Sequence, residues 1–407
     1  MPIQKWTFKS RFRANAYGWK GTALATKRLK EAVSEIKKVS KRDPIAGAEG
    51  AISLMERIWP SLQGIDGSSG ALGSAVHHTL DALIPLVIEA VADNKKRRNW
   101  LERLFEAVQE DGVDYLAPVA DRWGEICDGM DLANEWTDRL LPIIRGSWSQ
   151  EHDGGWVKGV SICLSCLLAA DRFDELQQLL SLRSFRFWSF DKFWAHALVQ
   201  QGHADSAIKF AESCRSKLSS YDDSAIIAFC EQTLIDAERT DEAYDKYAMQ
   251  STQASTNLTT FRQIVRRYPE LESRKILQDL IETHPPSGKW FAAAKHADCL
   301  DVALECAEDQ SAEPATLIRA SRDFNEKHPS FAAELASCAI KNLLAGGGYE
   351  PTNLDLIRAY QYFITAASAC GREEWAEGEV KILISKGAAP GREGFVELLI
   401  TERARLA

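Results

Sequence analysis

The stretch FWAHALVQQGHADSAIKFAESC, residues 193–214, predicts two short helices joined by a tight turn. Gly202 separates the two apolar patterns, and glycine ends helices because it adopts the left-handed conformation without a Cβ penalty. In the second helix, apolar side chains recur every three or four residues, at Ala207, Phe210, Ala211 and Cys214. That spacing places them on one face for packing, so the stretch predicts a helical hairpin.

The second helix of this hairpin recurs along the chain. A small or apolar residue marks its equivalent position in each copy: Leu176, Ala207, Ala243, Ala303 and Ala376. Gly371 precedes the last of these by five residues, as Gly202 precedes Ala207. The first two spacings, 31 and 36 residues, are typical of repeated helical hairpins. The chain is therefore predicted to be all-α.

The spacing of Gly202, Ala207, Ala211 and Cys214 resembles a tetratricopeptide repeat over this 22-residue unit. The proline that closes many such repeats is absent, so we describe the unit as TPR-like. The resemblance implies a right-handed solenoid of antiparallel helix hairpins, preceded by an N-terminal helical region. Such solenoids carry a concave surface that binds peptides or proteins.

A second resemblance lies in the N-terminal half. IDGSSGALGSAV at residues 65–76, together with WLERLFEAVQEDGVDYLAPVADRWGE at 100–125, is similar to an uncharacterised bacterial family of helical proteins. Some members of that family accompany SWIM-type zinc fingers, and the resemblance transfers no catalytic residue. We expect three regions: a basic, aromatic-rich segment and helix at 1–45, a helical region at 46–150, and TPR-like repeats at 151–407.

Composition indicates a folded protein of the cell interior. The chain has 407 residues, of which 45% are hydrophobic, and nine cysteines, an odd number suited to reduced structural thiols. The longest apolar run, Leu80–Ala92, contains charged residues and a proline and is too short to span a bilayer. Residues 1–20 lack the apolar core of a signal peptide. We therefore expect a cytoplasmic protein without a membrane partner.

Charge is distributed unevenly. Residues 1–42 carry 12 Lys or Arg against Glu31 and Glu35, a net charge of +10. Because the whole chain has a net charge of −9, the remaining residues have a net charge of −19. One hypothesis is contact with nucleic-acid phosphates, supported by stacking of Trp6, Phe12 and Trp19 on bases. The alternative is a solvated helix face. The candidate nucleic-acid-binding residues are Lys5, Lys9, Arg11, Arg13, Lys27, Arg28, Lys30, Lys95, Lys96, Arg97 and Arg98.

Two motifs suggest chemistry but are incomplete. The loop Gly64–Gly73 has glycines at every third position before a helix, yet no Gly-Lys-Ser/Thr follows, so an inter-helix loop capped by Ser68 or Ser69 is favoured over a phosphate loop. Cys163 and Cys166 have metal-ligand spacing without a second pair, which favours buried thiols over zinc. We therefore predict no metal, no cofactor and no catalytic residue.

The predicted function is a non-enzymatic adaptor or scaffold that binds a protein or peptide partner. First helices of hairpin repeats face the concave surface, which makes four cations candidate contacts for an acidic peptide: Arg186, Lys192, Lys289 and Lys295. A dense aromatic cluster is interpreted as filling the seam between hairpins, with base stacking as the alternative: Phe185, Phe187, Trp188, Phe190, Phe193 and Trp194. A nucleic-acid-binding component is the alternative function.

Overall fold

A computed structural model describes residues 4–149, 157–183, 186–215, 220–252 and 254–406. Within these ranges the secondary structure is entirely helical and contains no strand, which confirms the predicted all-α class. The chain divides into two compact units, Met1–Thr233 and Leu234–Ala407. The predicted region boundary near residue 150 falls in 150–156, outside the described residues.

The first unit begins with a short 3-10 helix, Phe8–Ser10, and continues with α-helices throughout. Their bounds are α1 Thr22–Ser40, α2 Pro44–Leu62, α3 Ala71–Ile88, α4 Asn94–Glu110, α5 Ala117–Asp121, α6 Trp123–Cys127, α7 Met130–Trp148, α8 Val160–Ala169, α9 Phe173–Ser181, α10 Trp188–Gln200, α11 Ala204–Ser213 and α12 Ser220–Asp236. The division between the units falls inside α12.

Helix α2 is longer than its sequence pattern predicts. A helical pattern from about Ala46 to Trp59, followed by Pro60, predicts an end at Pro60, whereas α2 spans Pro44–Leu62. Pro44 fits the first turn, where its missing N–H costs nothing, and Asp43 Oδ1 accepts a hydrogen bond from Ala46 N at 2.9 Å. Pro60 falls in the last turn, where only one backbone hydrogen bond is lost, so the helix continues past it.

The core of the first unit includes the N-terminal segment. Helices α1, α2 and α3 pack against one another, and the 3-10 helix packs on α1 and α2. Four aromatic residues that precede α1 are buried in this core: Trp6, Phe8, Phe12 and Tyr17. Residues 4–21 are therefore part of the folded unit, held by apolar burial.

Helix α3 is the one described helix long and apolar enough to cross a membrane, by length and composition alone. It is 18 residues long, because it extends N-terminal to the apolar run that we judged too short. Its buried face, which includes Leu72, Leu80 and Leu83, packs on α1 and α2. Its exposed positions include His77, His78 and Asp81, so it has the pattern of a core helix within this unit.

The second unit is built from shorter helices. Their bounds are α13 Thr240–Ala243, α14 Met249–Ser251, α15 Asn257–Arg267, α16 Ser273–Thr283, α17 Phe291–His296, α18 Leu300–Glu308, α19 Pro314–Phe324, α20 Pro329–Leu344, α21 Asn353–Ala369, α22 Glu373–Lys386 and α23 Glu393–Leu406. A π-helical turn, Tyr244–Ala248, joins α13 to α14, and a 3-10 helix, Ser287–Trp290, leads into α17.

One turn geometry recurs between paired helices in the described part of the chain. A residue with positive φ ends the first helix of each pair: Asp171, Gly202, Glu238, Asp298 and Gly371. The amide of the following residue donates to the carbonyl five positions back, for example from His203 N to Leu198 O at 2.8 Å. This is the Schellman arrangement, which satisfies helix-end carbonyls. The predicted hairpin at 193–214 is thereby confirmed as α10 and α11.

Each turn places the marked residue of the second helix in a buried position. The equivalent residues are no more than 1% exposed: Leu176, Ala207, Ala243, Ala303 and Ala376. Three of the five turns carry Arg immediately after the left-handed residue. Arg172 pairs with Glu175 and Arg239 with Glu242, whereas the Arg372 guanidinium lies 3.9 Å from the Trp375 ring centroid. These contacts join the turn to the first turn of the second helix.

Candidate binding groove and basic surface

A groove in the first unit crosses successive helices. It encloses a cavity of about 500 Å³ and is lined by the α5–α6 segment, α8 and α10. These helices contact one another in order, α6 with α8 and α8 with α10. Since α8 and α10 are the first helices of two successive hairpins, the groove runs along the first-helix face rather than the second-helix face.

Close approach of α6 to α8 shapes one wall of the groove. Gly124 N donates to Ser165 Oγ at 2.9 Å. A Cβ at Gly124 would lie 2.4 Å from Ser165 O and 2.5 Å from Ala169 Cβ, so this position has no room for a side chain. The apolar part of the lining consists of Leu168, Ala169, Phe193 and Val199.

The charges that line the groove are paired with one another. Lys192 Nζ donates to Asp121 Oδ2 at 2.5 Å, which joins α10 to α5. Arg122 donates to both carboxylate oxygens of Glu125, at 2.9 and 2.6 Å. The groove therefore has an apolar lining and charge-balanced walls. Its Lys192 was predicted from sequence as a partner contact, and the structure places it in this cavity.

His196 is the histidine of α10 that lines this groove. Its ring meets Phe229 of α12 edge-on, with the centroids 4.9 Å apart. Desolvation and, secondarily, the positive charge of Lys192 lower the pKa of His196, while Glu125 opposes the shift. Desolvation by the groove walls and a neighbouring cation both disfavour the charged imidazole, although part of the residue is exposed to solvent. His196 therefore favours the neutral form, which can donate or accept a hydrogen bond.

The other predicted partner-binding residues lie elsewhere. Arg186 lines a different cavity, of about 350 Å³, and its guanidinium lies 5.2 Å from the ring centroid of Phe210 on α11. Lys289 and Lys295 belong to the second unit, where the first is exposed and the second half-buried. Lys192 is the one of the four in the α6–α8–α10 groove.

Part of the aromatic cluster around α10 packs between helices. Trp188 stacks edge-on with Phe229, with centroids 5.4 Å apart, and Phe190 lies 6.1 Å from Trp148. Phe193 is 3% exposed, whereas Phe187 is 52% exposed. Of the predicted cluster, Phe185 lies outside the described residues. The buried members are unavailable for stacking on a base.

The two glutamates of the basic N-terminal segment, Glu31 and Glu35, both bond residues of the same segment. Glu35 accepts hydrogen bonds from the Thr7 amide and hydroxyl at 2.8 and 2.6 Å, and Glu31 pairs with Arg11. Trp6 and Phe12 are buried, so the expectation that they stack on bases is wrong, while Trp19 is 68% exposed. What remains at the surface is largely lysine. The exposed predicted residues of this segment are Lys5, Lys9, Arg11, Arg13, Lys27 and Lys30; Arg28 is half-buried beside Tyr17.

The second predicted basic patch, Lys95–Arg98, is divided by burial. Arg97 is 1% exposed and donates to the carbonyls of Val87, Ala90 and Ile126 and to Asp128. Arg97 has no exposed surface that could contact a phosphate, because its side chain points into the core whereas those of Lys96 and Arg98 point outward. Arg98 forms a two-point pair with Glu135. Lys95 and Lys96 remain exposed.

The glycine-rich loop Gly64–Gly73 does not have the character of a phosphate cradle. Asp66 Oδ1 accepts the Ser68 amide at 3.0 Å, and hydrogen bonds from Ser68 lower the pKa of Asp66, so a carboxylate occupies the loop. The N-cap of α3 is Gly70, with φ +70°, rather than Ser68 or Ser69. Ser69 contributes a longer bond, accepting Ala71 N at 3.4 Å.

Cys163 and Cys166 are buried in α8. Burial raises the pKa of Cys163 to about 12, and burial with the neighbouring Cys127 raises that of Cys166. Metal ligands must be thiolates, which this environment disfavours. Within the described residues, no group of three or more His, Cys, Asp or Glu side chains is arranged to hold a metal.

No protein-family model, curated protein or solved structure matches this chain. The resemblances to tetratricopeptide repeats and to the bacterial helical family therefore stay predictions. Sequence reasoning did not identify the α5–α6 wall of the groove. The signal in the sequence is Gly124, the second residue of α6, but only the packing of α8 against it shows why a side chain is excluded there.

Proposed function

We propose that this chain is a non-enzymatic cytoplasmic adaptor or scaffold that binds a protein or peptide partner in the α6–α8–α10 groove. The observation that carries the proposal is the position of the groove on the first helices of successive hairpins. Helical-repeat proteins bind partners on such extended surfaces. The apolar lining supplies binding energy, and the paired charges at the walls supply orientation.

The finer architecture that we propose for 151–407 is a right-handed, TPR-like solenoid of hairpins. Five equivalent Schellman turns support it. So do contacts between alternate helices, which a side-by-side stack of hairpins requires: α8 with α10 in the first unit, and α18 with α20 and α19 with α21 in the second.

The partner segment that best fits the groove carries apolar side chains and one acidic residue. Apolar side chains match Leu168, Phe193 and Val199, and removing that surface from water favours binding. The acidic residue can bond Lys192, whose side chain is about one quarter exposed and thus accessible from the groove. Charge balance of the walls disfavours a highly charged ligand, since Lys192 is already compensated by Asp121.

The test is site-specific photo-crosslinking in cells of the source organism. A photoreactive phenylalanine analogue replaces Gln200 on α10, which lines the groove, or Lys209, an exposed residue on α11. The two sites lie on the first and second helices of the same hairpin, so expression and folding are matched. Crosslinked proteins and the crosslinked segment are identified by mass spectrometry.

We expect one discrete adduct from position 200, carried by a segment with apolar residues and an acid, and none from position 209. Adducts from both positions with the same pattern of proteins would indicate non-specific proximity. That result, or an adduct only from position 209, would contradict the groove as the binding face.

A further inference from the structure

We propose that the outer face of α1 is a nucleic-acid-binding surface that contacts the phosphate backbone through a row of lysines. This function is separate from partner binding in the groove, because it uses a different helix and its ligand is a polyanion rather than a mainly apolar peptide. The row consists of Lys27, Lys30, Lys37, Lys38 and Lys41, all exposed.

The row is straight, with a gap between Lys30 and Lys37. At 3.6 residues per turn the five lysines fall within an arc of about 100° on α1 and its C-cap residue Lys41, and at 1.5 Å per residue they extend over about 21 Å. The buried residues of α1 lie on the opposite side: Ala25, Leu29, Ala32 and Ile36. Packing of that buried side on α2 and α3 therefore fixes the lysines outward.

The charge of the row is uncompensated. Within the described part of the chain, none of the five lysines forms an ion pair. The two acids of the same helix face the N-terminal segment instead, where Glu31 holds Arg11 and Glu35 holds Thr7. Both acids are thus bonded to the N-terminal segment, Glu31 to a cation and Glu35 to neutral donors, and neither is paired with a lysine of the row.

A linear polyanion matches this surface better than a protein does. Duplex DNA or RNA presents phosphates at regular short intervals, so each lysine of a straight row can find one. The rest of the chain carries −19, which repels a polyanion and confines its contact to residues 1–42. Trp6, Phe8 and Phe12 are buried and only Trp19 of the predicted stacking residues is exposed, so the lysine row contacts the backbone rather than the bases.

Phosphate contact alone predicts how binding depends on salt and strand. With about five phosphates neutralised, log K falls with log salt with a slope of about −4.5, which is about 500-fold between about 50 and about 200 mM. Binding is insensitive to sequence, and a duplex binds at least as tightly as a single strand, because its charge density is higher.

The test is fluorescence anisotropy with a labelled duplex of about 20 base pairs and a single strand of the same length, at both salt concentrations. The first variant carries K27Q, K30Q, K37Q, K38Q and K41Q. Glutamine and lysine have similar helix propensity, so α1 should persist, which circular dichroism checks. The matched control removes five lysines elsewhere: K209Q, K289Q, K295Q, K327Q and K386Q.

A third variant replaces the five lysines of the row by arginine. We expect the wild type, the matched control and the arginine variant to bind the duplex with the steep salt slope, and the first variant to lose more than 100-fold in affinity at low salt, on the order set by five phosphate contacts. Equal binding by the first variant and the wild type would overturn the proposal, as would no binding by the wild type at low salt.

Two further outcomes would also overturn the proposal. Tighter binding of the single strand that is lost in W19A would replace phosphate contact by stacking on the exposed Trp19. Binding of phosphatidylserine vesicles without binding of the duplex would assign the lysine row to a membrane surface, and would likewise overturn the proposal.

Discussion

Lys192 Nζ lies 2.5 Å from Asp121 Oδ2, and this pair connects α10 to α5 in the wall of the groove. Both side chains are about one quarter exposed, so the pair is reached by solvent and by a ligand. A partly exposed pair of this kind contributes about 1 kcal/mol or less. The pair therefore matters for its position, because it holds a cation in the groove lining while contributing little to the stability of the fold.

The repeated turn gives the first prediction. Gly202 has φ +81° and nothing within 4 Å of an added Cβ, so Gly202→Ala tests backbone conformation alone and should lower the free energy of unfolding by about 1 kcal/mol. Glu238 has φ +59°, and Glu238→Gly should raise it by up to about 1 kcal/mol. Urea denaturation measures both. Changes of the same sign would be incompatible with equivalent left-handed turns.

Packing of the hairpin gives the second prediction. Ala207 is fully buried where α11 meets α10, and Ala207→Trp should destabilise the protein by about 3 kcal/mol or more, because the close-packed seam cannot take an indole. The neighbouring Ser206 is exposed and provides the control, since Ser206→Trp should change stability by less than about 0.5 kcal/mol. Equal thermal midpoints for the two variants would refute the packing.

Burial of one arginine gives the third prediction. Arg97→Met leaves the carbonyls of Val87 and Ala90 without their 2.7 and 2.6 Å donors, and should cost about 3 kcal/mol or more. Arg98→Met removes a solvent-exposed pair with Glu135 and should cost less than about 1 kcal/mol. Chemical denaturation distinguishes them. Equal losses of stability in the two variants would contradict the role of Arg97 as a buried donor to these backbone carbonyls.

The lowered pKa of His196 gives the fourth prediction, a pH dependence. The folded state binds a proton less readily than the unfolded state, whose His pKa is about 6.5, so this contribution to stability is present above about pH 6.5 and is lost as the pH falls through the folded pKa. Unfolding by urea at about pH 7.5 and about pH 5 should show a larger loss for wild type than for His196→Gln.

A second variant checks the cause of that pH dependence. Lys192→Met removes the cation that contributes to the lowered pKa, so it should narrow the loss of stability between the two pH values without abolishing it, because desolvation remains the larger cause. Identical pH dependence in wild type and in His196→Gln would show that His196 carries no such linkage.

Local signals in the sequence predicted the hairpins where glycine marks the turn. Gly202 and Gly371 identified two of the five turns, because glycine is the usual residue for a left-handed helix end. Asp171, Glu238 and Asp298 adopt the same conformation without that signal. There, only the small or apolar residue five positions on showed where the second helix lies.

Long-range contacts could not be predicted in this way. The burial of Trp6 and Phe12 depends on packing of residues 4–21 on α1 and α2. That segment has no helical or strand periodicity from which the burial could be predicted. Likewise, Asp121 and Lys192 are 71 positions apart, and their pairing requires the stacking of α5, α8 and α10. Sequence placed the lysines of α1 on one face, whereas only the structure shows both neighbouring acids engaged elsewhere.

The most direct test of the central claim is calorimetric binding of a synthetic peptide that covers the segment crosslinked at position 200. It compares wild type with Lys192→Glu on the first helix and Lys209→Glu on the second helix of the same hairpin. Lys192→Glu places two carboxylates together in the groove, so we expect affinity to fall at least about tenfold, or about 1.4 kcal/mol, with Lys209→Glu unchanged. Equal affinities for the two variants would contradict binding on the first-helix face.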